Sequence, residues 1–282
     1  MSRLGALFLW YGGTVAALLL LYGQELPGRW WLILLHLGML LPAWIVSRVD
    51  RMLCDAAFSL ILVPLVFSSL GGFLPELVPE PVSWRVQALD AELGGMQLIE
   101  WAKGAPAWLL DICQLCYSAY YLLPIVAGLL LYKRRMIREL KIANELIVGA
   151  FFLSYLGYFM FPVLPPYRFI DYGGPMAGSA WQEWLWQLLY ELEPIRECCM
   201  PSGHTLVTLV TVLIVARWLR WHLLWLLPVA FFLVLGTMML RVHWALDVVA
   251  ALPFLALSFW IVGGSACGRL TGECRAPISR SC

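Results

Sequence analysis

Residues 223–240 read LLWLLPVAFFLVLGTMML, and the seven that follow are Arg241-Val242-His243-Trp244-Ala245-Leu246-Asp247. An uncharged run of that length can cross the hydrocarbon layer of a bilayer, and a helix satisfies its own backbone there. Similar stretches recur at about 5–22, 30–47, 53–73, 108–132, 143–162, 204–221 and 243–262, so eight spans are expected. Composition agrees, with 62% of residues hydrophobic and 13% charged, which is not the balance of a soluble domain. The expected fold is therefore all-α, a polytopic transmembrane helical bundle. A net charge of +1 without a basic tract argues against nucleic-acid binding.

Basic residues in short loops set the expected orientation. Lys133, Arg134, Arg135, Arg138 and Lys141 mark the loop after the fourth span as cytoplasmic. Alternation then puts Arg48, Arg51, Arg217, Arg220 and the tail arginines Arg269, Arg275 and Arg280 on the same side, with both termini. Segments 74–107 and 163–203 fall on the exoplasmic (periplasmic or lumenal) side. Tyr22-Gly23-Gln24-Glu25 lacks a small-x-small cleavage pattern, so the first span is expected to stay as an anchor. Of the eight cysteines, Cys54, Cys267, Cys274 and Cys282 lie at or beyond inner span ends. Cys113, Cys116, Cys198 and Cys199 lie near the outer face, where a disulfide or small apolar fillers would fit equally. No Cys/His spacing suggests zinc.

The two exoplasmic segments carry amphipathic patterns. Leu89-Asp90-Ala91-Glu92-Leu93-Gly94-Gly95 and Leu98-Ile99-Glu100-Trp101, with Trp84 and Trp108 nearby, suggest one or two interfacial helices. Trp181, Trp184, Leu185, Leu188, Leu189 and Leu192 form an i, i+3, i+4, i+7 stripe on another. Such helices could roof a site or simply anchor the protein at headgroup level.

Three polar elements fall on that same side. Pro165-Pro166-Tyr167-Arg168 follows the fifth span, Pro201-Ser202-Gly203-His204 precedes the sixth, and Arg241-Val242-His243 opens the eighth. Ser202, Gly203 and His204 stand at a helix N-terminus, where unpaired N–H groups and the helix dipole attract an anion. Ser202 can donate a hydroxyl or cap the helix, and Gly203 admits close approach. His204 can protonate a leaving alkoxide. His243 and Asp247, four residues apart, are expected on one helical face. The carboxylate would fix the imidazole tautomer and leave the other nitrogen to attack phosphorus. Arg168 can offer a guanidinium fork to phosphate. Arg241 can do so if the helix starts at or after it, and otherwise snorkels to the interface. His36 and His222 read as a packed and an interfacial residue.

Pro-Ser-Gly-His followed some forty residues later by His-x-x-x-Asp resembles the type 2 phosphatidic acid phosphatase superfamily, the lipid phosphate phosphatases. The resemblance implies a six-helix core, metal-independent catalysis without a cofactor, His243 as nucleophile, Asp247 orienting it and His204 as acid. It also implies a phosphatase-like core at 51–265, an N-terminal transmembrane hairpin at 1–50 and a cytoplasmic tail at 266–282. The superfamily's usual first motif, Lys with Arg-Pro seven residues later, is replaced by Phe161-Pro162-Val163-Leu164-Pro165-Pro166-Tyr167-Arg168. The usual Ser-Arg before the nucleophile is replaced by Gly236-Thr237. The Pro-Pro-aromatic element, the 89–95 stretch, Tyr117 and Pro124 are similar to the branch containing inositol phosphorylceramide synthases.

Three functions are compatible with a polytopic membrane protein carrying these residues. The first is an exoplasmic lipid phosphatase working through a phosphohistidine. The second is a phosphotransferase that hands the phosphate-bearing head group to an acceptor alcohol. The third, a transporter, would scatter polar residues along several spans, whereas here they gather at one face.

Overall fold

The computed structural model describes residues 2–49, 52–77, 82–171, 176, 178–193, 195–196 and 198–263. The expected tail at 266–282, with Cys267, Cys274 and Cys282, lies outside them, as does Arg51. Every described regular element is helical.

The chain opens with α1 (Arg3–Tyr22), then α2 (Arg29–Leu37) and α3 (Leu40–Arg48), which together make one 20-residue span. Next come α4 (Met52–Gly71) and the short α5 (Leu74–Leu77). The first connection at the site end holds α6 (Ser83–Glu92) and α7 (Gly95–Ala102). The next span is broken into α8 (Ala107–Ser118) and α9 (Leu122–Lys133), bent by 55°. Pro124 explains the break: it has no N–H to give the Tyr120 carbonyl, and its ring would crowd that group in a continuous helix. The long α10 (Ile137–Met160) is followed by α11 (Pro166–Phe169) and α12 (Ala180–Leu192). The last three spans are α13 (Gly203–Trp218), α14 (Leu223–Met239) and α15 (Ala245–Gly263).

Among the described residues, six helices are long and apolar enough to cross a membrane, and the bent α8–α9 pair would make a seventh. The remaining expected span, the sixth, is α13, which is apolar but only 16 residues long. It begins at Gly203, capped by Ser202, and is short because it ends at Trp218, before the Arg220–His222 turn.

The central helix is α10, which packs on α1, α4, α9, α13 and α15. Its face toward α1 and α4 is aromatic: Tyr11 stacks on Phe152 at 4.3 Å, and Phe67 on Tyr155 at 5.4 Å. The N-terminal spans are thus packed into the bundle through this cluster. His36 is buried there, its Nδ1–H donating to the Leu32 carbonyl at 2.8 Å. At the end of the bundle away from α6 and α12, an Arg134 N–H reaches His222 Nε2 at 3.4 Å. Cys54, Cys113, Cys116, Cys198 and Cys199 are all free thiols.

Both expected interfacial elements form, and each uses two faces. On α6 and α7, Trp84, Leu89, Leu93 and Trp101 are exposed while Val86, Asp90 and Ile99 are buried. On α12, most of the Trp181, Trp184, Leu188 and Leu192 stripe points outward. The opposite face docks on α8. The Ser179 hydroxyl donates to Asp111 at 2.7 Å, and Gln182 donates to Gln114 at 3.1 Å in a buried pair.

Candidate active site

Hydrogen bonds between distant loops draw the three polar elements together at one end of the bundle. The Ser202 N–H donates to the Asp247 carbonyl at 3.1 Å, the Cys199 N–H to Val163 at 2.9 Å and the Tyr167 N–H to Arg241 at 3.0 Å. The buried Trp244 indole donates to the Leu164 carbonyl at 2.8 Å. Gly157 on α10 lets Pro201 press against the helix, since a Cβ there would collide with the proline ring.

Ser202 is the N-cap of α13. Its oxygen accepts the Thr205 N–H at 3.2 Å and the Thr205 hydroxyl at 3.0 Å. Gly203 is needed for packing: an added Cβ would lie 3.2 Å from Ser154 Oγ and 3.3 Å from the Tyr158 hydroxyl. His204 follows in the first turn, its ring between Tyr117 (4.6 Å) and Tyr120 (4.3 Å). The break between α8 and α9 is what brings both tyrosines to it.

His243 and Asp247 meet, but not on one helical face. The helix α15 begins at Ala245, so His243 lies in the turn before it. Asp247 reaches back from the first helical turn, accepting the Trp244 N–H at 2.9 Å and facing His243 Nδ1 at 3.1 Å. The first contact is half of a capping box, with the third helical residue satisfying the N-cap N–H. An anionic Asp247 only accepts, so the proton sits on His243 Nδ1 and leaves Nε2 with its lone pair. That Nε2 lies 3.2 Å from His204 Nδ1, so the second ring donates to the first. Both His243 and Asp247 are buried.

The arginines stand differently. Arg241 neither lies on a helix nor snorkels outward. It sits buried in the α14–α15 turn with φ +64°, donating its N–H to Met238 and receiving Tyr167. Arg168, on α11, is exposed, and neither arginine lines the cavity over the histidines. That cavity, about 60 Å³, is bounded by His204, His243, Tyr117, Tyr158, Tyr167 and Cys199, with Trp186, Tyr190 and Glu193 from the α12 side. Residues of α12 thus roof it.

A protein-family model described as the PAP2 superfamily matches residues 85–261, more than half of the chain. The chain belongs to the PAP2 superfamily. The PAP2 match starts within α6 and ends within α15, so it takes in the two histidines, Asp247 and the α12 roof. No curated protein and no solved structure matches the chain.

Cys199, His243 and Asp247 each bring a donor atom within 4.8 Å of the others, a set that could hold a metal ion. In this PAP2 site Asp247 is already the acceptor for His243, while burial and that carboxylate hold the Cys199 thiol well above its ordinary range, in the protonated form. A thiol must lose its proton to ligate, so the surroundings oppose metal capture.

Several residues of the site carried no sequence signal. Tyr120, Trp186, Tyr190 and Glu193 belong to no spacing pattern, and only the chain reversals between spans bring them to the histidines. Tyr117 was marked only through the branch resemblance.

Proposed function

We propose that this PAP2 protein is an integral-membrane lipid phosphatase that cleaves a lipid phosphate ester through a phosphohistidine on His243. The observation that carries the reading is the linear relay Asp247 Oδ2, His243, His204, with contacts of 3.1 and 3.2 Å. A nucleophile, the group that fixes its tautomer and a proton donor are what in-line displacement at phosphorus requires. Phosphorus entering between the two rings takes the place of the His204 contact and meets the free Nε2 of His243. A phosphate anion between the rings favours the doubly protonated His204. That ring gives its Nδ1 proton to the departing alkoxide and then removes one from the water that hydrolyses the phosphoramidate. The N-terminus of α13 and the Ser202 hydroxyl supply fixed dipoles for the phosphate oxygens. Arg168 and Arg241 do not line the cavity and are not needed for the displacement itself. No step needs a metal or cofactor.

Catalysis on the exoplasmic face, with both termini cytoplasmic, is supported by the basic residues of the α9–α10 and α13–α14 turns at the opposite end. We assign 1–50 as an N-terminal hairpin added to a catalytic core at 51–265. An apolar cavity of about 500 Å³ between α4, α9 and α10 is sized for a hydrocarbon tail. Tyr121 and Phe151 at its wall continue through Tyr120 to His204.

The α12 roof favours a second reading, transfer of the phosphate-bearing group to an acceptor alcohol as in the inositol phosphorylceramide synthase branch. A Trp186–Tyr190 lid limits water around the phosphoenzyme. Purified protein in EDTA is expected to release a water-soluble phosphate from lipid, and His243→Ala to abolish release. Undiminished turnover in that variant would end the proposal. A new lipid formed only with an added alcohol would select transfer.

A further inference from the structure

The cavity over the histidines has an unusual lining for a phosphate site. Among the described residues it contains no Arg or Lys, and its only carboxylate is Glu193. A dianionic phosphomonoester would meet that acidic group with no Arg or Lys in the lining to offset it. The rest of the wall is aromatic: Tyr117, Tyr158, Tyr167, Trp186 and Tyr190. Tyr167 stands edge-on to Trp186 at 5.7 Å and to Tyr190 at 5.6 Å, and Trp186 stacks on Tyr190 at 5.4 Å. Arg196 braces this cluster from outside the cavity, its guanidinium carbon 4.3 Å from the Tyr190 ring centre and its Nε–H donating to the Glu193 carbonyl at 3.3 Å. One Glu193 carboxylate oxygen accepts the Ile195 N–H at 3.4 Å.

Aromatic walls with one carboxylate are the chemistry that recognises an organic ammonium ion, through ring quadrupoles and a single counter-charge. A monoanionic phosphodiester needs less positive charge than a monoester, and the α13 N-terminus with one protonated imidazole, His204, can supply it. Resting on the phosphohistidine reading above, we propose that Glu193 and the Tyr167–Trp186–Tyr190 cluster form a headgroup subsite for a zwitterionic phosphodiester lipid carrying a choline or ethanolamine amine. His243 Nε2 bonds to phosphorus as the bond from phosphorus to the lipid alcohol oxygen breaks, and His204 protonates that oxygen. The amine-bearing phosphate stays on His243, held at Glu193. Water, or an acceptor alcohol, then attacks phosphorus, the P–N bond breaks, and the attacking hydroxyl proton passes to His204. The products of hydrolysis are the lipid alcohol and phosphocholine or phosphoethanolamine.

The test uses the full-length protein in nanodiscs or mixed micelles with phosphatidylcholine, phosphatidylethanolamine, phosphatidylglycerol and phosphatidic acid of identical tails. Water-soluble products are read by mass spectrometry. The wild-type protein is expected to prefer the two amine lipids over phosphatidic acid in kcat/KM by about ten-fold, the equivalent of one ion contact. Glu193→Gln should collapse that ratio, and Trp186→Leu should shift it the same way. Folding is checked by gel filtration and thermal shift. As a direct probe, dodecylphosphocholine should protect the wild-type protein against heating more than dodecyl phosphate does, and this difference should vanish in Glu193→Gln. Two outcomes overturn the subsite. One is His243-dependent cleavage with phosphatidic acid preferred, and the other is an unchanged ratio in both variants. Either leaves the lipid phosphatase reading standing. If the wild-type protein cleaves no lipid, that reading falls as well.

Discussion

Asp90 on α6 accepts the backbone N–H of Leu246 on α15 at 2.9 Å, linking positions 156 residues apart. The carboxylate is fully buried and caps the first turn that holds Asp247. A helix of the connection between two spans therefore positions the His243 turn. Asp90→Ala removes this acceptor and should cost about 1–2 kcal/mol of stability, while Asp90→Asn keeps an acceptor and should cost less. Because the cap steers Asp247, kcat should fall in the alanine variant with KM nearly constant. Equal unfolding temperatures and kcat for all three proteins would show the contact to be incidental.

Asp247 faces His243 Nδ1, so its amide variant tests orientation without removing the proposed nucleophile. In Asp247→Asn the amide can present its NH₂ to His243 Nδ1, which moves the imidazole proton to Nε2. The attacking lone pair is then lost, and kcat should drop by on the order of 10³-fold or more. Nitrogen-15 spectra of labelled histidine would report the changed tautomer. An unchanged spectrum alongside normal turnover would exclude the role.

His204 is gripped between Tyr117 and Tyr120, and neither hydroxyl is needed for that. Tyr120→Phe should keep near-normal rates. Tyr120→Leu loosens the ring and should lower kcat by about ten- to a hundred-fold, as misplacement of a reacting group does. If the leucine variant were as active as the phenylalanine one, His204 would be positioned by its backbone alone.

How much of this was legible in the sequence varied with the kind of signal. The spans were readable because apolar length is a local property, whereas the break of 108–132 near Pro124 emerged only in the structure. Ser202, Gly203, His204, His243 and Asp247 were readable because each sits in a short motif. Their local geometry was less so. A spacing of four suggested one helical face for His243 and Asp247, whereas the helix begins between them and the contact is an N-terminal cap. Arg241 could reach phosphate only if the helix began at or after it. Helix α15 does begin later, at Ala245, but a left-handed turn buries the arginine and it does not line the cavity. Gly203 invited a phosphate-approach reading, yet Ser154 and Tyr158 already fill that space. Glu193 and the α12 aromatics were invisible, because one acid after an amphipathic helix has no pattern until the chain folds back. The outward stripe of α12 was the loud signal, while its quieter face lines the cavity.

Burial pushes the Glu193 carboxyl up from the usual 4.5 to about 7, with the Ile195 N–H and Arg196 pulling the other way. Tyr117, Tyr158, Tyr167, Tyr190, His204 and His243 share its cavity. A carboxyl raised in the folded state binds its proton more tightly than in the unfolded chain. The stability from that proton is complete below about 4.5 and is lost as pH rises through about 7. The unfolding temperature should therefore decline between pH 5 and 8, and less so in Glu193→Gln. Amine recognition runs the opposite way: KM for phosphatidylcholine should fall by about ten-fold over the same window as the carboxylate forms. Parallel profiles for wild type and Glu193→Gln would assign both trends to the histidines instead.

The apolar cavity between α4, α9 and α10 gives a test of tail binding that leaves the chemistry alone. Gly128 and Ala143 lie on its wall, far in sequence from the histidine motifs. Ala143→Phe would fill part of its roughly 500 Å³. If a substrate tail occupies the space, KM should rise several-fold for long-chain lipids, at about 0.8 kcal/mol per methylene left unburied. Short-chain substrates, whose tails would not reach the obstruction, should keep their KM, and kcat should hold for both. Overpacking can also destabilise the bundle by about 1–3 kcal/mol, so unfolding temperature is measured alongside. A uniform loss of kcat at every chain length would mean that the cavity supports the helices and holds no tail.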